Sequence, residues 1–169
     1  MNRAIVILLF VSLLFSSSCE RDDLCTPDQS TSPRMVVVFK DATAPALIKV
    51  APQLRVKVLA SSEFAPLDFE GNTLMEAADT IYLPLRNFDD ETIYSFQREN
   101  DIDLNSDLIT FDYNREESYV SRACGFKVDY LDLDANLNNE TPSNPWISSI
   151  NIIDATINDS NEVHVEIYH

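Results

Sequence analysis

The chain has 169 residues, 45% of them hydrophobic, and carries 28 Asp and Glu against 12 Lys and Arg, for a formal net charge of −16. That is enough chain for one domain with a buried core, and its apolar content is too high for a disordered one. The acidity speaks against nucleic acid, whose phosphates are neutralised by Lys and Arg, and against electrostatic docking of the whole chain on anionic lipid.

At the start of the chain, Arg3 precedes an apolar block from Ala4 to Phe15. The block is too short to span a bilayer, which needs about 20 apolar residues, and it suits a cleavable signal peptide. Ser16-Ser17-Ser18-Cys19 follows. The arrangement resembles the lipobox of bacterial lipoproteins, whose cysteine is lipidated and becomes the new N-terminus, although Ser16 stands where that pattern prefers Leu. The resemblance implies a signal peptide over 1–18 and lipidation at Cys19. The alternative is an ordinary signal peptide cut near Ser18. Several acyl chains on one cysteine anchor stably where a single chain does not. Glu20-Arg21-Asp22-Asp23 resembles the acidic tags that direct some Bacteroidota lipoproteins to the outer face of the outer membrane; a solvated linker is the bland alternative. Removing residues 1–18 takes away Arg3 and no acid, so the net charge moves from −16 to −17.

With Cys19 lipidated, Cys25 and Cys124 remain. Outside the cytoplasm two leftover cysteines usually pair, two buried thiols being the alternative. A loop of about 100 residues closed this way is stabilised by about 4.7 kcal/mol in the chain-entropy model. Such a bond would hold the chain start against the domain near Cys124.

Residues 19–33 read as the anchor and a short polar leader, and residues 34–169 as a single domain. Met35 to Phe39 is a continuous apolar, β-branched run, expected to be a strand buried on both faces. Residues 41–53 read as loop. Leu54, Val56 and Val58 alternate with Arg55 and Lys57, the pattern of a half-buried strand. Residues 61–79 are irregular. Ile81 to Leu85 alternates again, and Pro84, lacking an N–H, puts it at an edge or bulge. Thr92 to Arg98 and Asp107 to Tyr113 are the next strands, with turns at 87–90, 100–105 and 114–116. Tyr119 to about Tyr130 reads as one long strand with Cys124, Phe126, Val128 and Tyr130 on one face. Leu131, Leu133, Ala135 and Leu137 alternate beyond it. Trp146 to Ile157 and Val163 to Tyr168 form a terminal hairpin. No segment carries a helical period. The expected fold is all-β, an antiparallel β-sandwich of roughly seven to nine strands with Ig-like or related Greek-key topology. With glycine at only two positions, Gly71 and Gly125, Asn and Asp are expected to supply most positive-φ turns.

Leu83-Pro84-Leu85, then Asp107 through Thr110-Phe111-Asp112-Tyr113, then Ser121-Arg122-Ala123-Cys124-Gly125-Phe126-Lys127, behind an opening Cys-(acidic)-Cys-Thr-Pro, resemble a family of uncharacterised Bacteroidota lipoproteins. The resemblance spans nearly the whole chain after Cys19. It implies an origin and a location, and no activity.

Candidate chemistry is sparse. Glu162, His164, Glu166 and Tyr168 share a face of the last strand, a spacing that could hold a metal or move protons. Strand alternation explains the same pattern as a solvent face, which is the expectation. Asp101, Asp103, Asn105 and Asp112 partly mimic the oxygen spacing of a calcium loop, but Ser106 stands where that loop needs Gly and Asp112 where it needs Glu. They are the metal candidates. There is no Gly-x-Ser-x-Gly elbow and no evident triad, so no catalytic residue, no enzyme activity and no cofactor is expected. Asp79-Thr80-Ile81 resembles a short Bacteroidota O-glycosylation acceptor. Trp146, Tyr82, Tyr94 and Tyr119 are candidates for an exposed ligand-binding patch, with core packing the expected alternative. The sequence therefore points to an outer-membrane lipoprotein anchored through its lipid, with an envelope protein partner and no nucleic acid. A glycan- or ligand-binding accessory is the second reading.

Overall fold

A computed structural model describes residues 25, 32–99, 104–138 and 145–169. Cys19 therefore lies outside the described residues, as do Asp101 and Asp103. Nine strands run β1 Arg34–Lys40, β2 Ala51–Val58, β3 Met75–Ala78, β4 Thr80–Pro84, β5 Glu91–Glu99, β6 Leu104–Ser121, β7 Gly125–Asn138, β8 Ser149–Ile152 and β9 Val165–Tyr168. Among the described residues there is no helix. The strands form two sheets, ordered β4–β1–β9–β8 and β3–β2–β5–β6–β7. Every strand pair is antiparallel except β1 with β9. The expected all-β sandwich is the fold.

The apolar run of β1 sits between β4 and β9 and is buried along both faces, as continuous Val and Phe require. In β2, Leu54 and Val56 are fully buried and Arg55 and Lys57 are not. β4 is an edge strand, so the missing N–H of Pro84 costs no ladder bond. Tyr94, Phe96, Phe111, Phe39, Leu54 and Ile81 are among the largest fully buried side chains, contributed by both sheets.

Several expected boundaries move. β2 begins at Ala51, inside the expected 41–53 loop, and β3 forms within the irregular 61–79 stretch. Asn114-Arg115-Glu116 makes no turn. β6 runs through it without a break, and a register shift between Asp112 and Asn114 absorbs the irregularity. The chain instead reverses at Arg122-Ala123-Cys124, ahead of Gly125 at φ +73°. Cys124 therefore sits in a hairpin tip, not mid-strand. In β7 both Tyr130 and Leu133 face inward, an interval that simple alternation forbids; Asp132 between them takes φ +54° and bulges the strand. Among the described residues the other non-glycine positive φ values fall on Gln53 and Ser62, so Asn and Asp supply fewer of these positions than expected. The last two strands do pair, but across a long loop, from Ile152 opposite Val165 to Ser149 opposite Tyr168.

Beyond Asn114 the β6–β7 hairpin outruns β5, whose pairing with β6 ends at Glu91 opposite Asp112. Val128 N donates to Ser32 Oγ and Tyr130 pairs with Ile157 on the outer side of β7, so it is the stretch beyond them, with Tyr119 and Phe126, that projects as a two-stranded arm. Cys25 is bonded to Cys124 at its tip, with Cα atoms 4.9 Å apart. A two-stranded ribbon is marginal by itself, so the bond secures the arm as well as the chain start. Replacing Cys25 and Cys124 together by Ser should lower the unfolding free energy by about 2–5 kcal/mol. Urea titration reads this, and an unchanged midpoint would show that the bond adds nothing to the fold.

Candidate functional site

The turn between β4 and β5 is where the two sheets are stitched. Three tyrosines, one from each of β5, β6 and β7, reach three consecutive carbonyls. Tyr94 Oη donates to Pro84 O, Tyr130 Oη to Leu85 O at 3.3 Å, and Tyr113 Oη to Arg86 O at 3.0 Å. Tyr113 Oη also accepts from Arg86 N, and pairs with Thr92 Oγ1 at 2.7 Å. Tyr130 Oη further lies 2.5 Å from Asn87 Oδ1. The rings of Tyr113 and Tyr130 meet edge to face, 5.0 Å apart. Burial raises the pKa of all three, so they stay protonated and act as fixed donors rather than acids.

This stitching fixes Asn87 and Phe88 at the rim of a cleft of about 470 Å³. Its walls include Arg34, Pro84, Phe126 and Tyr130. Phe88 is 88% exposed and Phe126 64%. Arg34 is held by Asp68 O, which accepts from its Nη1, and its guanidinium lies 4.8 Å from the Phe69 ring centre. Phe69 in turn packs on Tyr82 at 4.8 Å. On the arm, Tyr119 and Phe126 are cross-strand partners with ring centres 5.4 Å apart. Exposed rings beside an amide, a phenol and a guanidinium can stack an apolar or sugar ring face and hydrogen-bond its substituents.

The four expected aromatic candidates scatter. Trp146 and Tyr94 are buried, Tyr82 is half-buried against Phe69, and Tyr119 is exposed on the arm. Sequence reasoning missed Phe88, whose signal was an aromatic set in an Asn-Phe-Asp-Asp turn, and it put Phe126 on one face with Val128 and Tyr130, which are buried while Phe126 is not.

Of the calcium candidates, Asn105 and Asp112 lie within the described residues. Asn105 and Asp112 lie on one continuous strand at odd and even positions, so they face opposite sides of the sheet. Asp112 Oδ2 accepts from Asn136 Nδ2. Asp107, between them, is fully buried, and its Oδ2 accepts from the backbone N–H groups of Trp146 and Ile147 at 2.9 and 2.8 Å. It anchors the chain entering β8. Among the described residues no group of three His, Cys, Asp or Glu is placed to hold a metal. Thr80 of the Asp79-Thr80-Ile81 match opens β4 and pairs with Val38.

His164 is not on a solvent face. It is 1% exposed, just before β9, and its Nδ1 accepts from Val36 N at 3.0 Å. A second β1 contact runs from His164 N to Val36 O. Glu162 is exposed, so the Glu-His-Glu face does not exist. Burial lowers the pKa of His164 below 6.5, against the opposing pull of Asp154, Asp159 and Glu162. His169 is also buried, with Nε2 2.9 Å from Lys49 O, and its rings of contact are Phe39 and Trp146.

A family model described as "Family of unknown function (DUF6452)" matches residues 68–169. The matched stretch holds β3 to β9, and with them Phe88, Phe126 and the three tyrosines. No curated protein and no solved structure matches the chain.

Tyr113→Phe should cost about 1–3 kcal/mol, because it takes the donor from Arg86 O and the buried partner from Thr92 Oγ1, while Arg86 N–H keeps its bond to Thr92 Oγ1; chemical denaturation measures it. His164→Ala should cost a similar amount by orphaning Val36 N–H. The two differ in pH dependence. A histidine with a lowered folded pKa gives stability that is complete above pH 6.5 and is lost as pH falls through the folded pKa, because the unfolded chain takes up the proton first. The gap in Tm between the natural chain and His164→Ala should therefore narrow from pH 7.5 to 5, and a constant gap would refute this account.

Proposed function

The chain belongs to this family of unknown function, and from its sequence and surface we propose that it is an outer-membrane-anchored lipoprotein, lipidated at Cys19, whose sandwich is a non-catalytic protein-interaction module of the cell envelope. The Cys25–Cys124 bond supports a short tether. Cys25 is six residues past Cys19, a reach of at most about 20 Å. The arm would then sit at the membrane.

The observation that carries the interaction reading lies at the other end of the sandwich. Pro45, Ala46, Leu47, Ile48 and Val50 are all exposed in the loop from β1 to β2, Leu47 at 61% and Ile48 at 59%. The loop is ordered rather than loose: Asp41 N donates to Leu47 O, Leu47 N to Ala44 O, and Lys49 Nζ to His169 O at 2.7 Å. A contiguous apolar surface held in place on a strongly acidic chain is the mark of a docking site. The cleft favours a second reading, a glycan- or ligand-binding accessory, because Phe88 and Phe126 present exposed rings around it.

The test is co-purification from native membranes of the full-length chain, Cys19→Ala, and the double variant Leu47→Ser with Ile48→Ser. A stoichiometric partner retained by the first and lost from the double variant, with Tm unchanged, is the expected result. No partner with any form, together with oligosaccharide binding abolished by Phe88→Ala, would replace this reading with the second.

A further inference from the structure

We infer that the tip of the β6–β7 arm is a membrane-contacting element, with Tyr119 and Phe126 seated in the interfacial layer of the bilayer. The inference rests on the proposed anchoring at Cys19 and adds to it a surface and an orientation.

Three independent features converge on the tip. The first is position. The arm projects past the end of β5, and its tip is covalently tied to Cys25. The second is chemistry. Tyr119 and Phe126 are 58% and 64% exposed and form one cross-strand pair, so the two rings make a single wedge. Aromatic side chains, tryptophan and tyrosine above all, favour the boundary between headgroups and acyl chains, where a tyrosine buries its ring and keeps its hydroxyl wet. The third is charge. Residues 118–128 contain Arg122 and Lys127 and no Asp or Glu, in a chain that carries 28 acids. The acids begin again at Glu117 and Asp129, on the sandwich side. A protein of this net charge is repelled by anionic headgroups; clearing acid from one tip and leaving Arg122 there, with Lys127 paired to Asp129 Oδ1 at 3.0 Å, removes that repulsion where contact occurs. Phe88, also strongly exposed, lies at the same end. Lipid is the favoured occupant over a protein because the short covalent route to the anchor already delivers the tip to the bilayer.

The orientation follows. β1 runs from Arg34, beside the cleft, to Lys40, whose neighbour Asp41 bonds the 44–50 loop. Its seven residues span about 20 Å at 3.3 Å each. The apolar loop at Leu47 thus lies at the opposite end of β1 from the cleft, and in this orientation it faces away from the membrane.

The experiment uses the full-length lipidated protein in vesicles of phosphatidylcholine with brominated acyl chains. Phe126→Trp and Leu47→Trp are compared, both at exposed positions and both checked for natural Tm; Tyr119→Trp is the second arm variant. The native Trp146 is buried and contributes the same background to each. The expected result is co-flotation of all variants, with bromine quenching at positions 126 and 119 at least several-fold stronger than at position 47. Co-flotation with equal quenching at the two ends would overturn the inference and leave the anchor standing. Failure of the full-length protein to float at all would overturn the anchoring reading and this inference with it.

Discussion

Three consecutive carbonyls, of Pro84, Leu85 and Arg86, depend on three tyrosine hydroxyls from the opposite sheet. Backbone at the end of an edge strand has lost its ladder partners and must be satisfied some other way. Here Tyr94, Tyr113 and Tyr130 do it, one from each of three neighbouring strands. The order of β5, β6 and β7 is thereby tied to the exit of β4, and the two sheets are registered against each other by directional bonds rather than by apolar packing alone. Asn87 and Phe88 follow immediately, so the cleft takes its shape from the same contacts.

Other buried polar groups close the rest of the sandwich by the same logic. Asp107 receives the N–H groups of Trp146 and Ile147, where the chain crosses from β7 toward β8. His164 exchanges two bonds with Val36, placing β9 beside β1. Ser32 Oγ accepts from Val128 N, and Tyr130 and Ile157 exchange a pair of backbone bonds, so the outer edge of β7 is covered along part of its length. An open edge would invite pairing with another chain. Each of these groups would be costly if left alone in the core, and each is bonded across a long sequence separation, Asp107 through Oδ2 while its Oδ1 has no hydrogen-bond partner among the described residues.

The surface divides into two ends with different characters. One carries the cleft, the exposed phenyl rings and the arm tied to Cys25; the other carries the ordered apolar loop around Leu47 and Ile48. Between them, lysines and arginines are mostly committed locally: Lys40 to Glu166, Arg86 to Asp89, Arg115 to Asp90. The exposed Arg86–Asp89 pair adds little stability. The exposed apolar side chains are thus concentrated at the two ends, on a chain with a large acidic excess.

Local chemistry was legible in the sequence: the β-rich class, the buried run of β1, the edge position of Pro84, and a disulfide between the cysteines left after Cys19. These follow from side-chain period, a missing N–H and the number of thiols, none of which needs a distant partner. The end of an apolar face was not legible. Phe126, Val128 and Tyr130 keep one parity, yet the first is exposed and the other two are buried, because burial depends on where the opposing sheet stops. Asn114-Arg115-Glu116 has turn composition but lies inside β6, held there by Arg115 bonding Asp90 and Asn87 O. The partners of Asp107 and His164, at Trp146 and Val36, are 39 and 128 residues away, so no pattern of near neighbours could place either side chain in the core. The sequence by itself identified most of the strand segments from side-chain period and, from the number of cysteines, pointed to the tie that holds the chain start. Tertiary structure alone decided which polar groups are spent inside the core and which rings are left outside it, since both depend on contacts between strands far apart in the chain.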